Sequence, residues 1–480
     1  MEVRTEQFRE IALTELQNSR SRFFLKLIPP VMAVMRANAL KSFPDPPAAQ
    51  AYGAAIRAES VDRLPDLLER FEQKAVANGA EVFWAEDVQE ANEFILKLAR
   101  ERGVEYITKG KSMLTEEMGL NDFLGRNGIE PWETDLGEFI IQQLHRPPFH
   151  IVGPAINIPV EEVCDLFLKR ADLRERTLDP VQLGYAARVF LRDKFHRVKM
   201  GITGINMAVA ETGTILTVEN EGNIRLSKAS PRTQVSIMSL EKVVPTMEDA
   251  LHLLRLLCRN SSGRKITSYV TMDNGPKKKG EIDGPEELFI IILDNGRTQI
   301  YQEGKTRQVL RCIRCGACLN FCPVYGQIGG YPYGWAYSGP LGSILNPLLL
   351  GLDRTQDLYR ATTLCGVCKA VCPAGIDHPS LFLHFRAKDV EGDRKWRGRK
   401  RSWKENFFFK GWAWGASRSW RWNLGARFMR RVWNRVSQRG NGDGLRKHLS
   451  GWLKCRELPA FPLKTFHERW KQINRVPKKN

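Results

Sequence analysis

The 480-residue sequence has no run approaching the roughly 18 consecutive apolar residues of a membrane-spanning helix. Its opening residues, Met1-Glu-Val-Arg-Thr-Glu-Gln-Phe-Arg-Glu10, are too charged for a secretory leader. Both absences lead us to expect a cytoplasmic chain, where thiols stay reduced. There is no G-x-x-x-x-G-K-[ST], which excludes a P-loop, and no G-x-G-x-x-G follows a predicted strand, so the usual dinucleotide fingerprint is missing as well. Removing two electrons and two protons from an alcohol would then need an organic cofactor or a partner, and the chain reads as a conduit. No nucleic-acid-binding module is recognisable, so nucleic acid is not an expected partner.

Disorder is excluded as well, because 42% of the residues are hydrophobic, ample for a core, and the length suits two or three domains. The net charge of +19 belongs to one end. Residues 391–480 hold 25 Lys and Arg against 6 Asp and Glu, with nine of the 12 tryptophans, whereas residues 1–390 balance. So sharp a shift marks a separate unit with its own partner. Within it Trp420, Leu424, Phe428, Met429, Val432, Trp433 and Val436 recur at helical spacing against arginines. Such a helix suits an anionic membrane surface, here the inner face of the cell membrane, or an acidic partner. It equally suits packing on its own chain with the arginines in water.

Cysteine is sparse but placed. Seven of the ten fall in two runs. Cys312-Ile-Arg-Cys315-Gly-Ala-Cys318-Leu-Asn-Phe-Cys322-Pro323 is C-x2-C-x2-C-x3-C-P, and Cys365-Gly-Val-Cys368-Lys-Ala-Val-Cys372-Pro373 repeats its ending. This spacing wraps three thiolates round one cubane iron–sulfur cluster and sends the fourth to a neighbouring cluster. Exchanging the last cysteine of each run makes Cys312, Cys315, Cys318 and Cys372 a complete set, and Cys322, Cys365 and Cys368 a second set one ligand short. Thr362 stands where that ligand would be. Two iron–sulfur clusters are expected, the first [4Fe–4S] and the second either [4Fe–4S] with three cysteine ligands or [3Fe–4S]. Zinc closes at four ligands and fits these runs poorly. A disulfide framework fails on their crowding and odd number.

Along the chain, residues 1–60 read as a helical segment, with Pro29 breaking one pattern. Residues 61–302 alternate short β-branched or aromatic runs with helical stretches, the pattern of an α/β domain with a largely parallel sheet. Strands are expected at Val82–Trp84, Val104–Thr108, His150–Val152, Met207–Ala210, Ile215–Glu219, Val235–Met238, Thr267–Met272 and Leu288–Leu293, and helices at Asp87–Arg102 and Thr115–Arg126. The turn Thr108-Lys-Gly-Lys-Ser112 offers an anion site on backbone N–H groups, or an ordinary helix cap with solvated lysines. Glu211, in Ala210-Glu-Thr-Gly-Thr214, is a weak candidate for a catalytic base, against the commoner role of a turn contact. Asn223, Arg225 and Lys228 lie close by, to bind a carboxylate or face water. Residues 303–390 carry both cysteine runs with a predicted helix between them, which suits an α-helical ferredoxin domain; residues 391–480 are the basic region.

These stretches together resemble the lactate utilization protein B family over nearly the whole chain. The resemblance rests on Lys109-Gly-Lys-Ser-Met113, Glu133-Thr-Asp-Leu-Gly137, Ala210–Thr214, Glu221-Gly-Asn223, Asp283-Gly-Pro285, Leu293-Asp-Asn-Gly-Arg297, both cysteine runs, Pro323-Val-Tyr325, and Arg456-Glu-Leu-Pro459 with Phe466 and Trp470. It implies a LUD-type α/β domain, related in shape to the ribose-phosphate isomerase and CoA-transferase fold, followed by a ferredoxin-like domain. It also implies electron transfer in the oxidation of L-lactate to pyruvate, in a complex with a cysteine-rich redox subunit and a second LUD-type subunit. A three-cysteine second site is a feature of that family. Asn157 departs from it, since a histidine is expected there. The rival reading is a regulatory protein whose α/β domain senses an anion while its clusters report redox state.

Overall fold

Strands of a parallel sheet are covered on both faces and so are written as unbroken apolar runs. Leu288-Phe-Ile-Ile-Ile-Leu293 is such a run and is buried throughout. In the computed structural model, which describes residues 2–171, 173–438, 461–462 and 464–473, it lies in an all-parallel sheet. The strands are β1 (Glu81–Ala85), β2 (Tyr106–Lys109), β3 (Glu130–Glu133), β4 (Met200–Gly204), β5 (Met207–Val209), β6 (Thr214–Glu219), β7 (Thr233–Ser239), β8 (Val243–Val244), β9 (Tyr269–Asp273) and β10 (Glu287–Leu293). Six make the parallel sheet in the order β1-β10-β7-β4-β2-β3, and a smaller mixed sheet runs β8-β5-β6-β9. A parallel sheet gathers its carboxyl strand ends at one edge, which here brings Lys109, Glu133, Gly204, Ser239 and Leu293 together.

Three local expectations differ from the structure. His150–Val152 is a bend and not a strand. The helix expected over Thr115–Arg126 is two, Met113–Met118 and Leu120–Arg126, divided by the left-handed Gly119 (φ 62). Pro29 and Pro30 do not end a helix, because Ser19–Leu40 continues through them; the carbonyls of Leu25 and Lys26 lose their usual donors, while buried Leu25 and Pro29 pack that turn against neighbours. This 22-residue helix is, among the described residues, the one long and apolar enough to cross a membrane by length and composition alone. Arg20, Arg22, Lys26 and Arg36 interrupt it, so it holds no unbroken apolar run of that length.

The chain forms two compact units, Met1–Lys400 and Arg401–Asn480. In the first, the N-terminal helices share a core with the cysteine-bearing region: Phe8, Ala12, Leu25 and Val61 lie in one cluster with Leu319, Tyr325, Tyr333 and Leu345. Helices are the regular elements of that region, with Gly339–Leu350 the longest between the two runs. Residues 391–400, assigned by charge to the basic region, also pack here. Trp396 is 2% exposed and its Nε1–H donates to Glu303 at 2.6 Å. The second unit contains helices Trp403–Ala416, Ser419–Gln438 and Phe466–Ile473. Trp420, Leu424, Phe428, Met429 and Val432 are exposed on it, and Arg427 and Arg430 face Glu468. The side chain of Val436 and the stretch Arg456–Pro459 lie outside the described residues.

Candidate functional site

The two cysteine runs fold alike. Arg314 (φ 61) and Leu364 (φ 54) both take left-handed backbone, and each precedes a cysteine and a left-handed glycine, Cys315-Gly316 and Cys365-Gly366. A one-turn helix follows each, Ala317–Asn320 and Val367–Ala370. Left-handed backbone at a non-glycine residue costs about 1 kcal/mol or more, and here it turns amides toward sulfur. The Arg314 N–H donates to Cys312 Sγ at 3.4 Å and the Tyr325 N–H to Cys322 Sγ at 3.5 Å. Amides of Ala317, Val367, Lys369 and Ile376 serve Cys315, Cys365, Cys368 and Cys372. Counted from the matching Arg314 and Leu364, Thr362 occupies in the second turn the place Cys312 has in the first.

The seven thiols occupy two neighbourhoods. Cys318 feels the charge of Cys315, Cys312 and Cys372, and Cys368 that of Cys322 and Cys365; Cys318 also feels Cys368, the one influence that crosses between the sets. Burial pushes Cys315 and Cys368 up to about 12 and Cys372 up to about 11. Cys365, the exposed one, is instead lowered by hydrogen bonds from Thr363 and the Val367 amide. Buried thiols so reluctant to ionise become thiolates only with a cationic group among them. Soft sulfurs with amides aimed at them fit an iron–sulfur cluster. Among the described residues no three His, Cys, Asp or Glu side chains close on a single-ion site. The nine described cysteines are all free.

Cys322, Cys365 and Cys368 line a cavity with Thr362, Ser343 and Phe382, about 400 Å³ of empty space including its mouth, with no charged residue in its wall. Thr362 Oγ1 accepts the Leu364 N–H at 3.1 Å. Cys164 and Cys258 are buried in two other cores, and Cys455 lies outside the described residues.

The first set is held against the α/β domain by an ion network that the sequence did not reveal. Arg57 donates to the carbonyls of Leu310 and Arg311, just ahead of Cys312, and to those of Glu241 and Val243. Arg314 reaches Glu241 at 2.9 Å. Arg297 Nε lies 3.1 Å from the other Glu241 oxygen, and Arg297 donates twice to Glu117, at 2.9 and 2.8 Å. Glu117 also accepts from Tyr337 Oη and Asn295 Nδ2, both at 2.7 Å. Burial alone would push Glu241 up, but Arg297 and Arg314 hold it down to about 2.

The turn Thr108–Ser112 is not an open anion site. The Gly110 N–H donates to the Ile202 carbonyl at 2.9 Å. Lys109 is buried 2.5 Å from Glu133 and 3.2 Å from Glu116, because β2 and β3 pair it directly with Glu133. Lys111 donates to the Val152 carbonyl at 2.8 Å and lies 3.8 Å from Glu138. Lys109 is therefore closed to a ligand, whereas Lys111 is half-buried and held by the Val152 carbonyl. Burial pushes Glu138 up to about 8 against Lys111, and Asp135 caps its helix through the Glu138 N–H. Glu211 is exposed and accepts the Met247 N–H at 3.2 Å, a contact at a helix start. Lys228 bonds Thr217 and Asp273, Asn223 donates to Thr134, and Arg225 covers the Tyr269 ring. Asn157 donates to Tyr331 Oη at 2.9 Å.

Comparison with known proteins matches residues 68–293 to the LUD domain, 308–376 to the 4Fe-4S dicluster domain, and 386–475 to the C-terminal domain of lactate utilisation protein B. The chain is 39% identical to lactate utilization protein B of Anoxybacillus flavithermus over 424 residues, 88% of each chain. It is 43% identical to that of Geobacillus kaustophilus over 341 residues, 71% of each. A crystal structure of a DUF162 family protein from Deinococcus radiodurans aligns with 48% of this chain and 98% of its own, at 14% identity and a TM-score of 0.27.

Proposed function

Because the chain belongs to the lactate utilization protein B family, we propose that this iron–sulfur protein passes electrons one at a time through two clusters while L-lactate is oxidised to pyruvate. The observation that carries this reading is the parting of seven thiols into adjoining neighbourhoods of four and three. Cys312, Cys315, Cys318 and Cys372 would hold a [4Fe–4S] cluster, and Cys322, Cys365 and Cys368 a second with one corner not served by cysteine. When bound, such clusters supply one-electron transfer.

The protein's own part is to hold, orient and insulate. Backbone amides fix the sulfurs, and buried Tyr325, Tyr333 and Phe382 keep water from the space between the runs. A two-electron carrier must then come from partners, for which a cysteine-rich redox subunit and a second LUD-type subunit are the candidates, in the cytoplasm. The exposed Trp420, Leu424 and Phe428 among arginines favour an anionic membrane or an acidic partner as the contact of the second unit. The anion-sensor alternative is less favoured, because Lys109 is buried against Glu133 and Glu116 and Lys111 is held by the Val152 carbonyl.

The test is anaerobic. The as-isolated protein is mixed with L-lactate, alone and with the proteins that co-purify with it. Bleaching of cluster absorbance is expected only in the mixture. Absence of bleaching there, with intact clusters and active lactate oxidation, rules the proposal out.

A further inference from the structure

The two sulfur sets sit in opposite electrostatic surroundings. Around the first, Arg57 bonds the carbonyls leading into Cys312, and Arg314 lies within the run itself, folded onto Glu241. Arg36 comes from the Ser19–Leu40 helix to donate to the Val371 carbonyl at 3.1 Å, next to Cys372, and to Asn260 at 2.7 Å. Lys242 lies within electrostatic reach of Cys312. The buried carboxylates nearby, Glu241 and Glu117, are already shared with Arg297. Around the second set the cavity wall holds no charge at all, and Cys365 opens to solvent. Both sets accept backbone N–H groups, so amide donation does not separate them; fixed charge does.

We propose that Arg36, Arg57, Lys242 and Arg314 hold the first cluster at a higher reduction potential than the second, making the solvent-facing second set the port and the first set the resting place of the electron. Adding an electron adds negative charge, and buried Arg57 with half-buried Arg36, Lys242 and Arg314 beside it stabilise the reduced state with less screening by salt than exposed charges would meet. Water at Cys365 favours reduction of the second set too, but it is mobile and reaches one sulfur, whereas Arg36, Arg57 and Arg314 are fixed by hydrogen bonds beside the first. Cluster potentials respond to both influences. The inference rests on the two-cluster reading and goes beyond it by ordering the pair. The electron transferred is one in and one out, with no bond made or broken, and its source is the one-electron partner of the complex.

The full-length protein with both clusters is titrated anaerobically with dithionite and followed by EPR. Iron and sulfide are counted first, so that a missing second cluster is seen as a failure of the two-cluster reading rather than of the ordering. Signals are assigned with Cys365→Ser, which disables the second set. In the wild type the first cluster should reduce first. Arg36→Gln and Lys242→Gln should each weaken its reduction about tenfold, about 59 mV for a one-electron couple, leaving the second cluster in place. Lys97→Gln, an exposed position on the Val88–Glu101 helix of the α/β domain, should move neither. Equal or reversed wild-type potentials overturn the proposal, and that measurement stands even where a variant loses iron. Variants that shift both clusters alike, or neither, overturn it as well.

Discussion

Arg314 Nη2 lies 2.9 Å from Glu241 Oε1, joining the first cysteine turn to the carboxyl end of the parallel sheet. The same carboxylate faces Arg297, which is fully buried. Glu241→Gln keeps the shape and removes the charge, leaving two buried guanidinium groups short of a partner. Breaking a buried pair this way costs about 3–5 kcal/mol. A lowered apparent Tm with faster loss of iron is expected, and a variant as stable as the wild type would show that Arg297 and Arg314 are satisfied elsewhere.

The two cysteine turns were legible because their spacing is local, written within a dozen residues. The strands were legible where burial on both faces forced continuous apolar runs, as at Leu288–Leu293. Arg297 and Glu117 could not be paired from the sequence, since 180 positions separate them. Lys109 misled for a related reason: a lysine beside a glycine reads as solvated, and only the register of β2 on β3 brings Glu133 to it. The left-handed Arg314 and Leu364 carried no signal either, because neither residue type favours that backbone.

Gly330 tests the joint between the Phe149 loop and the cysteine-bearing region. Its backbone is ordinary (φ −88), but a Cβ there would sit 1.9 Å from the Phe149 carbonyl oxygen. Gly330→Ala should destabilise by about 1–3 kcal/mol through forced displacement. Gly125, with nothing within 4 Å of a built Cβ, is the control in the Leu120–Arg126 helix. Its change to Ala should stabilise by up to about 1 kcal/mol. Thermal melts of both variants separate crowding from a general intolerance of alanine.

Glu138 sets a pH dependence. Burial lifts its pKa to about 8 from an ordinary 4.5, against the pull of Lys111 and with Glu116 and Glu133 adding to the rise. The folded state thus holds this proton more tightly than the unfolded state. Its stabilisation is complete below pH 4.5 and is lost as pH rises to 8. Glu138→Gln mimics the protonated form permanently. The Tm advantage of the variant should be near zero at pH 4, grow through pH 6 and level off above 8, at a few kcal/mol by order of magnitude. A constant difference across that range would mean that Glu138 is ionised when folded.

The second unit can be removed at a place the packing defines. Deleting residues 401–480 spares Trp396 and should leave cluster absorbance unchanged while abolishing sedimentation with anionic vesicles. Deleting from 391 also takes Trp396 out of the core, at a cost of about 3–5 kcal/mol, and its melt should fall accordingly. Iron loss on the shorter deletion would instead make the second unit part of the cluster-binding core.

The unequal sulfur sets give the sharpest test. Four thiolates can serve all four irons of a cubane at the first set, whereas the second has Thr362 at the place equivalent to Cys312, in a cavity whose other wall residues are apolar or hydroxylic. One iron there must take water, a hydroxyl or a partner's ligand, or be lost to leave [3Fe–4S]. Brief exposure to air should therefore produce an oxidised three-iron EPR signal that is absent in Cys365→Ser and persists in Cys315→Ser. Thr362→Cys places a thiol at that corner, and it should suppress the signal and raise the iron retained per chain. Two air-stable four-iron clusters in the wild type, one of them dependent on Cys164, Cys258 or Cys455, would place the missing ligand elsewhere in the chain and close the corner.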